Sequence, residues 1–439
     1  MFEAINNYKF KVAHYSKETL LSRFLLIYEK IISFLLTAYL ANKLSYSDIG
    51  FWSQAIYFAG LYTTLIGLNI GNGLISIVPR INKTKIRADL IFRSGLFLII
   101  LGIISIIFLL FFRDLISNLF FDNVLDLNIF LLILIIGFSE MMLDFVLFSF
   151  RSVKNFYFSN YVLFLKLLPR TFVFIGAYKN NILLMLYLYS FTFLFSCFLL
   201  LIKLYFSNKN SFSFFFEWKK NKLSLLGTKP FLKSLFIISK KSIFASLTAA
   251  LFFFIARRLI LSNIGLTGVG EFSVAILAGS TILFFTNFIG FTFYPYISNL
   301  AINKKKIAYA KTNKLSFLLI LFSIIISLGL VGSKIVFRNT LSFYPFTINS
   351  IDLIFAFLGY GFLSAYQISQ PFAFALTDDI KVIRIELISS VISFGLISLI
   401  FLVDGFSISK VMFSFCIYTF CNYLQAHSRN LKILKEQTA

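Results

Sequence analysis

The sequence predicts an all-α integral membrane protein, with about twelve transmembrane helices in two six-helix lobes around a central cavity. Hydrophobic residues make up 59% of its 439 residues and charged residues only 13%, whereas about a quarter of the residues in soluble domains are charged. Apolar runs recur along the whole chain, and about 20 such residues span the hydrocarbon of a bilayer. A short sequence repeat divides the chain near its midpoint.

The apolar runs give the predicted spans in order. They cover residues 23–43, 49–72, 90–112, 128–150, 158–178, 182–202, 236–262, 269–297, 315–333, 350–371, 386–403 and 409–427. The cysteines fall inside spans, and the two histidines lie near opposite ends of the chain. We therefore expect no disulfide framework, no metal site and no cofactor.

The basic residues predict the orientation of these spans. If the N-terminus is cytoplasmic, the segments on the inner side carry most of the Lys and Arg. The outer segments then hold only Lys43, Arg113, Lys179, Lys334, Arg338 and Lys410. Positive charge orients membrane proteins toward the cytoplasm, so both termini are predicted to be cytoplasmic. The net charge of +23 thus reflects topology and contact with anionic lipid, and a nucleic-acid partner is not expected.

The repeat supports a division into two lobes. "LSYSDIGFWSQAI" (44–56) aligns without gaps with "IGLTGVGEFSVAI" (264–276), 220 positions later. Both segments follow the first span of a predicted half, so the halves enter the membrane in the same sense. Parallel repeats of this kind build many transporters, with the substrate site between the repeats. The predicted units are an N-terminal lobe (1–205), a basic cytoplasmic linker (206–235) and a C-terminal lobe (236–439).

Charged and polar residues recur inside the spans, at spacings that place several of them on one helix face. An Arg at the centre of a bilayer costs about 2.5–3.5 kcal/mol on insertion scales, so such residues need an explanation. The cationic candidates are Arg23, Lys30, Lys166, Arg170, Arg257 and Arg258. The acidic candidates are Glu29, Glu140 and Asp144, and the polar or aromatic candidates are Tyr57, Tyr360 and Gln367.

Two interpretations of these residues are open. In the first, Arg23 and Arg258 reach the headgroups from the span ends, and Glu140 and Asp144 form structural ion pairs with Lys166 and Arg170. The small residues beside Arg257 would then only allow close helix packing. In the second, all of these side chains line a wet cationic cavity between the lobes. The second interpretation also accounts for Lys30, which lies well inside its span.

A cationic cavity predicts an anionic substrate. The planar guanidinium of Arg suits phosphate because it can bond two oxygens at once. Neutral polar and aromatic positions in spans two and ten suit a sugar, through hydrogen bonds and ring stacking.

Three segments carry a resemblance to a known group of proteins. They are "SDIGFWS" (47–53), "GLNIGNGLISIVPR" (67–80) and "ARRLILSNIGLTGVGEFSVA" (256–275). With the 6+6 layout, they resemble the O-antigen and polysaccharide flippases of the multidrug/oligosaccharidyl-lipid/polysaccharide exporter superfamily. Members often carry an acid–Arg pair where this chain has Ala256 and Arg257, so an ion-coupling role there is not implied.

The resemblance implies a bacterial inner-membrane protein that moves undecaprenyl-pyrophosphate-linked oligosaccharide from the cytoplasmic to the periplasmic leaflet. On this hypothesis Arg257, Lys30 and Arg170 hold the pyrophosphate, and rocking of the halves exposes the cavity to each side in turn. The expected partners are the lipid-linked glycan and membrane lipids, with H⁺ or Na⁺ as coupling ion and a polysaccharide polymerase as further candidates.

Two rival functions fit the composition less well. A cation-coupled multidrug antiporter of the same superfamily would be expected to bury carboxylates for a cationic drug, whereas bases outnumber acids here. A membrane polysaccharide polymerase or lipid-dependent glycosyltransferase would be expected to carry a large outer loop with catalytic residues, and the predicted outer loops are short. We therefore predict a transporter and not an enzyme.

Overall fold

The computed structural model describes residues 17–68, 70–81, 83–153, 155–206, 250–336, 349–376 and 406–436, with the single residues 233, 388 and 392. All regular structure in these ranges is helical. The first half contributes α1 (Lys17–Lys43), α2 (Tyr46–Ile66), α3 (Ile70–Ile77), α4 (Thr84–Phe111), α5 (Arg113–Phe121), α6 (Leu127–Ser152), α7 (Phe156–Tyr178) and α8 (Ile182–Phe206). The second half contributes α9 (250–264), α10 (Leu266–Ser280), α11 (Ile282–Asn303), α12 (Lys305–Val336), α13 (Ser350–Leu376) and α14 (Ile408–Glu436).

The predicted membrane spans appear as long helices wherever the chain is described. Seven stretches are long and apolar enough to cross a bilayer: Ile86–Phe111, Leu127–Ser152, Phe156–Tyr178, Ile182–Lys203, Leu266–Thr286, Lys305–Lys334 and Ser350–Gln370. They coincide with predicted spans three to six and eight to ten. Helices α1, α2 and α14 occupy predicted spans one, two and twelve. Much of predicted span seven, nearly all of span eleven and nearly all of the linker 206–235 lie outside the described residues.

The second predicted span ends earlier than its apolar run. Helix α2 stops at Ile66, and the amide of Gly67 donates to the carbonyl of Thr63 at 3.0 Å. The next residue, Leu68, has a φ of 48°, in the left-handed region that interrupts a right-handed helix. The chain then begins α3, so the apolar run 49–72 forms two helices and not one.

Two further boundaries differ from the predicted spans. The run 269–297 is divided at Thr281, whose hydroxyl donates to the carbonyl of Ala278 at 2.7 Å. Hydroxyls that bond back to the helix in this way bend it, and α11 starts at the next residue. The outer connection after span three, predicted as a loop, contains α5, which ends where Asp122 adopts a φ of 57°. Its helical form matters for the site below.

Each half has its own hydrophobic core. In the first half, α2, α6, α7 and α8 bury large side chains such as Trp52, Phe130 and Phe193 against one another. In the second half, α9, α10, α13 and α14 bury Phe252, Phe272 and Phe415. The halves meet along α2 and α10, and α1 also contacts α10 and α11. The space between the two cores therefore lies beside α1, α2 and α10.

Helices α2 and α10 cross at very short range because each has a glycine at the crossing. A Cβ atom on Gly50 would lie 1.9 Å from the carbonyl oxygen of Leu266, and one on Gly270 would lie 1.9 Å from that of Tyr46. Both pairs are related by the 220-residue offset of the sequence repeat. The end of the molecule with this crossing, the turn at Gly265 and α5 is termed the outer end, because the charge distribution predicts that it faces the periplasm.

Candidate functional site

A cavity with several polar side chains in its wall lies between the two halves. It has a volume of about 330 Å³ and is lined from α1, α2, α6, α7, α8, α9 and α10. The polar and charged side chains in its wall are those of Ser33, Ser53, Tyr57, Glu140, Arg170, Tyr189, Arg257 and Ser273. A second cavity of about 370 Å³ adjoins it and shares Ser33, Arg170 and Leu277 with it, and the walls of both cavities are more apolar than polar.

Arg257 is a buried cation in the wall of the first cavity, with 8% of its surface exposed. Its Nη1 donates to Ser53 Oγ at 3.2 Å and to Gln54 Oε1 at 3.1 Å, both on α2 of the other half. Its Nε has no hydrogen-bond partner. Within the described part of the chain, no Asp or Glu oxygen lies within salt-bridge distance of Arg257. The described groups that accept hydrogen bonds from the Arg257 guanidinium are therefore neutral.

Aromatic rings supply part of the environment of this guanidinium. Its central carbon lies 4.9 Å from the ring centre of Tyr57 and 5.9 Å from that of Phe272. Cation–π contacts of this kind are worth about 2 kcal/mol when desolvated. The Tyr57 hydroxyl donates to the carbonyl of Ala250 at 2.6 Å, so Tyr57 also fixes α2 against α9.

The sequence repeat contributes directly to the cavity wall. Ser53 and Ser273, which occupy equivalent positions of the repeat, have their hydroxyl oxygens 2.8 Å apart. Helix α2, which carries Ser53, is capped at its start by Ser45, whose hydroxyl accepts a hydrogen bond from the amide of Asp48 at 3.1 Å. Helix α10 starts after Gly265, whose φ of 84° is accessible to glycine without strain.

Two of the predicted cations of the first half, Lys166 and Arg170, are paired with acids. Arg170 donates to Glu29 Oε1 at 2.6 Å and to Ser33 Oγ at 3.1 Å. Lys166 donates to Asp144 and lies 4.0 Å from Glu140. The structural ion pairs left open by the sequence are therefore present for Lys166. Arg170 instead pairs with Glu29 on α1.

This pairing makes the cavity less uniformly cationic than the sequence predicts. The charges of Lys166 and Arg170 are balanced locally by Asp144 and Glu29, with Glu140 beside them. Together, the three cations Lys166, Arg170 and Arg257 face three carboxylates among the described residues, and Arg257 is the cation that has none of these carboxylates within salt-bridge distance. An incoming anion would meet Arg257 without displacing a carboxylate.

We expect Lys166→Met to destabilise the protein. Removing one partner of a buried ion pair costs about 3–5 kcal/mol, and the loss here should fall below that range because 29% of the Asp144 side chain is accessible. The melting temperature in detergent should fall by several degrees, and adding Asp144→Asn should restore part of it. Lys179→Met, at the exposed end of α7, is the control. An unchanged melting temperature in Lys166→Met would contradict this account.

Arg258 lies outside the cavity wall, at the outer end. Its Nη1 donates to the carbonyls of Asn118 at 3.1 Å and Leu119 at 3.3 Å, and it approaches Asp122 Oδ1 at 3.4 Å. All three belong to α5 or to the residue that follows it. The two neighbouring arginines thus have separate environments, Arg257 in the cavity and Arg258 on α5.

The structure says less about the function of the other predicted site residues. Arg23 and Lys30 belong to α1, but their side chains lie outside the described part of the structure. Tyr360 is buried in the core of the second half, with its ring 5.1 Å from that of Phe415. Gln367 is half-buried on the same helix, α13. Their roles remain predictions.

Sequence reasoning missed two residues of the site. Gln54 is 2% exposed and bonds both Arg257 and, through its Nε2 at 2.7 Å, the carbonyl of Phe120. Its signal in the sequence is a polar amide inside the repeat, where the second copy has Val274. Tyr189 lines the cavity from α8, and nothing in the spacing of its span marks it.

Comparisons with known proteins bear on the fold. No protein-family model and no curated protein matches the sequence. An inward-facing multidrug resistance MATE family transporter of the MOP superfamily aligns with 93% of this chain and 96% of its own, with a TM-score of 0.66 and 14% identity. The chain has the fold of a MATE transporter. A mutant of the Vibrio cholerae MATE transporter VcmN (TM-score 0.59, 14% identity, 96% and 97% covered) and a MATE transporter in complex with MaD3S (0.60, 14%, 95% and 97%) are also similar.

The MATE fold consists of twelve transmembrane helices in two lobes, so the predicted fold class is confirmed. The first of these structures belongs to the same superfamily as the flippases that the sequence resembles. None of the three is described as a polysaccharide flippase. At 14% identity the similarity extends to the fold. The lobe boundaries at residues 205 and 236 stay a prediction.

Proposed function

We propose that the protein is a transporter of anionic, lipid-linked saccharides, with the phosphate groups bound by Arg257. The observation that supports this proposal is a buried guanidinium in an inter-lobe cavity, held by neutral groups and with its Nε unpartnered. A desolvated cation without a counter-ion is costly. A phosphate that enters the cavity would supply the missing charge.

The shape of the cavities fits an amphipathic anion. The first cavity offers hydroxyl, guanidinium and aromatic groups, which suit sugars and phosphate. The adjoining cavity has the apolar side chains of Ile31, Leu35, Phe284 and Phe285, which suit the first units of a polyprenyl chain. An undecaprenyl-pyrophosphate-linked oligosaccharide combines these features, and it is the substrate class that we propose.

The energetics explain why such a substrate needs a protein. An unpaired hydroxyl costs about 2–7 kcal/mol to place in hydrocarbon, so an oligosaccharide headgroup crosses slowly unaided. Outward movement of two negative charges across about 100 mV, inside negative, would gain about 4–5 kcal/mol. Transfer from the cytoplasmic to the periplasmic leaflet of a bacterial inner membrane is therefore the proposed direction. Membrane lipids and a polysaccharide polymerase are the proposed partners.

Reconstitution in proteoliposomes tests this function. A polyprenyl-pyrophosphate oligosaccharide is placed in the membrane, and the glycan that becomes accessible to an impermeant glycosidase is measured over time. We expect protein-dependent transfer of this lipid and much slower transfer of the same glycan on an uncharged lipid. Equal rates for the two lipids, or no transfer above protein-free vesicles, would contradict the proposal.

A cation-coupled multidrug antiporter is the second candidate, and the comparisons favour it. The solved transporters with this fold include one described as a multidrug resistance protein. Glu29, Glu140 and Asp144 also place carboxylates beside the cavity, as a cationic drug or a coupling ion requires. Efflux of a cationic dye driven by a proton or Na⁺ gradient, and lost in Glu140→Gln, would support this candidate over the first.

A further inference from the structure

The two halves are joined at the outer end by hydrogen bonds from Arg258 to the last turn of α5. The carbonyls of Asn118 and Leu119 accept from Arg258, and the carbonyl of the next residue, Phe120, accepts from Gln54 on α2 of the same half. The last carbonyls of a helix have few partners within the helix, although that of Asn118 also accepts from the amide of Asp122 at 3.2 Å. A cation at this end is stabilised by the helix dipole. Arg258 therefore ties α9 of the second half to α5 of the first.

Gln54 connects this contact to the cavity. Its Nε2 donates to Phe120 while its Oε1 accepts from Arg257, and its side chain is almost fully buried. Both the nitrogen and the oxygen of the Gln54 side-chain amide therefore form hydrogen bonds. A ligand that draws the Arg257 guanidinium away removes one of the two bonds that fix the Gln54 side chain.

The residues that form these bonds have no chemical equivalent in the other half, 220 positions away. Subtracting the offset of 220 places Thr37 opposite Arg257 and Ala38 opposite Arg258, and Gln54 corresponds to Val274. The crossing glycines and the serine pair, by contrast, are present in both copies. The symmetric part of the interface is the packing contact of the glycines and serines, and the asymmetric part consists of the hydrogen bonds that Arg257 and Arg258 donate to the first half.

We propose that Arg258, Gln54 and the carbonyls of residues 118–120 form an outer latch, which Gln54 couples to Arg257. With the cavity empty, the latch holds the halves together at the outer end. An anion at Arg257 weakens the Gln54 bond and loosens the latch, so that substrate occupancy favours opening toward the outer side. This coupling to substrate rests on the proposed function, whereas the latch itself does not.

Dipolar EPR spectroscopy on purified protein measures the latch directly. Spin labels are attached at Asn123→Cys after α5 and Ser262→Cys on α9, both exposed, after replacement of Cys197, Cys416 and Cys421. Arg258→Ala and Gln54→Leu should each add a population that is longer by about a helical turn, about 5 Å. Arg258→Lys should add less of it, because the charge is kept. Arg113→Ala removes a partly exposed arginine that pairs within α5 itself, so it is the matched control and should change nothing.

The coupling is tested with farnesyl pyrophosphate as the probe. Radiolabel binding is measured beside the EPR distances. We expect the probe to lengthen the distance in the otherwise unmodified labelled protein and not in Arg257→Ala. A distance unchanged in Arg258→Ala overturns the latch. Binding of the probe without lengthening overturns the coupling and leaves the proposed function intact. Absence of binding counts against the proposed substrate class, while the Arg258→Ala result still decides the latch.

Discussion

Arg257→Ala is expected to lower the rate of lipid-linked saccharide transfer by at least tenfold. A hydrogen bond to a charged group contributes about 1.5–3 kcal/mol, which corresponds to roughly 10–150-fold in binding. Arg257 is the cation in the described cavity wall without a carboxylate partner, so no neighbour replaces it. The initial rate of glycan transfer in proteoliposomes, normalised to correctly inserted protein, measures the effect.

The comparison variants separate charge from geometry. Arg257→Lys keeps the charge but loses the fork that bonds two oxygens, and we expect an intermediate rate. Arg113→Ala removes a partly exposed arginine paired with its neighbour Asp114 and should transfer at the wild-type rate. If Arg257→Ala keeps about the wild-type rate while its fold is intact, the guanidinium does not bind the transported group.

The sequence predicted which helix faces carry the charges better than it predicted their partners. Spacing placed Lys166 and Arg170 on one face of α7, because helix periodicity is local. The partner of Arg170 is Glu29, 141 residues away, and nothing local distinguishes it from Glu140. Ion pairing depends on how α1, α6 and α7 pack, which is a property of the tertiary structure.

The fold was predictable because long apolar runs have few stable arrangements in a bilayer. The interruptions of the helices inside those runs were not predictable. The break at Leu68 lies between Gly67 and Asn69, and the bend at Thr281 follows Gly279 and Ser280. Small and polar residues of this kind also occur within continuous membrane helices, so the sequence alone does not place a break there. Helix α5 was also missed, since a nine-residue segment is too short for periodicity to decide between helix and loop. As a result, the sequence placed Arg258 near the headgroups but not on α5.

The crossing of α2 and α10 at Gly50 and Gly270 shows that a repeat can be recognised in the sequence while the structural role of its residues stays unknown. Gly50 and Gly270 match in the alignment, and a matching glycine alone indicates only shared ancestry or a shared turn. In the structure each glycine meets the backbone carbonyl of the other helix. The two contacts are equivalent, so they lie on either side of one pseudo-twofold axis.

Gly50→Ala is expected to disrupt the outer end strongly. Its Cβ would lie 1.9 Å from the Leu266 carbonyl oxygen, and ordinary van der Waals contact begins at 3.4 Å. Helices α2 and α10 would therefore have to separate by about 1.5 Å, and overpacking of this kind costs about 1–3 kcal/mol. We expect a lower melting temperature in detergent and a transfer rate reduced at least tenfold. Gly60→Ala is the matched control, because a Cβ on Gly60, also in α2, would meet nothing within 4 Å.

The double variant gives the sharpest test of the crossing. Gly270→Ala alone should reproduce the effect of Gly50→Ala, since its Cβ meets the Tyr46 carbonyl oxygen at the same distance. One separation of the helices makes room for both methyl groups. The two substitutions together should therefore destabilise the protein by clearly less than the sum of the single effects. Additive effects would mean that each glycine is accommodated independently, and the two halves would then not share a single contact at the outer end.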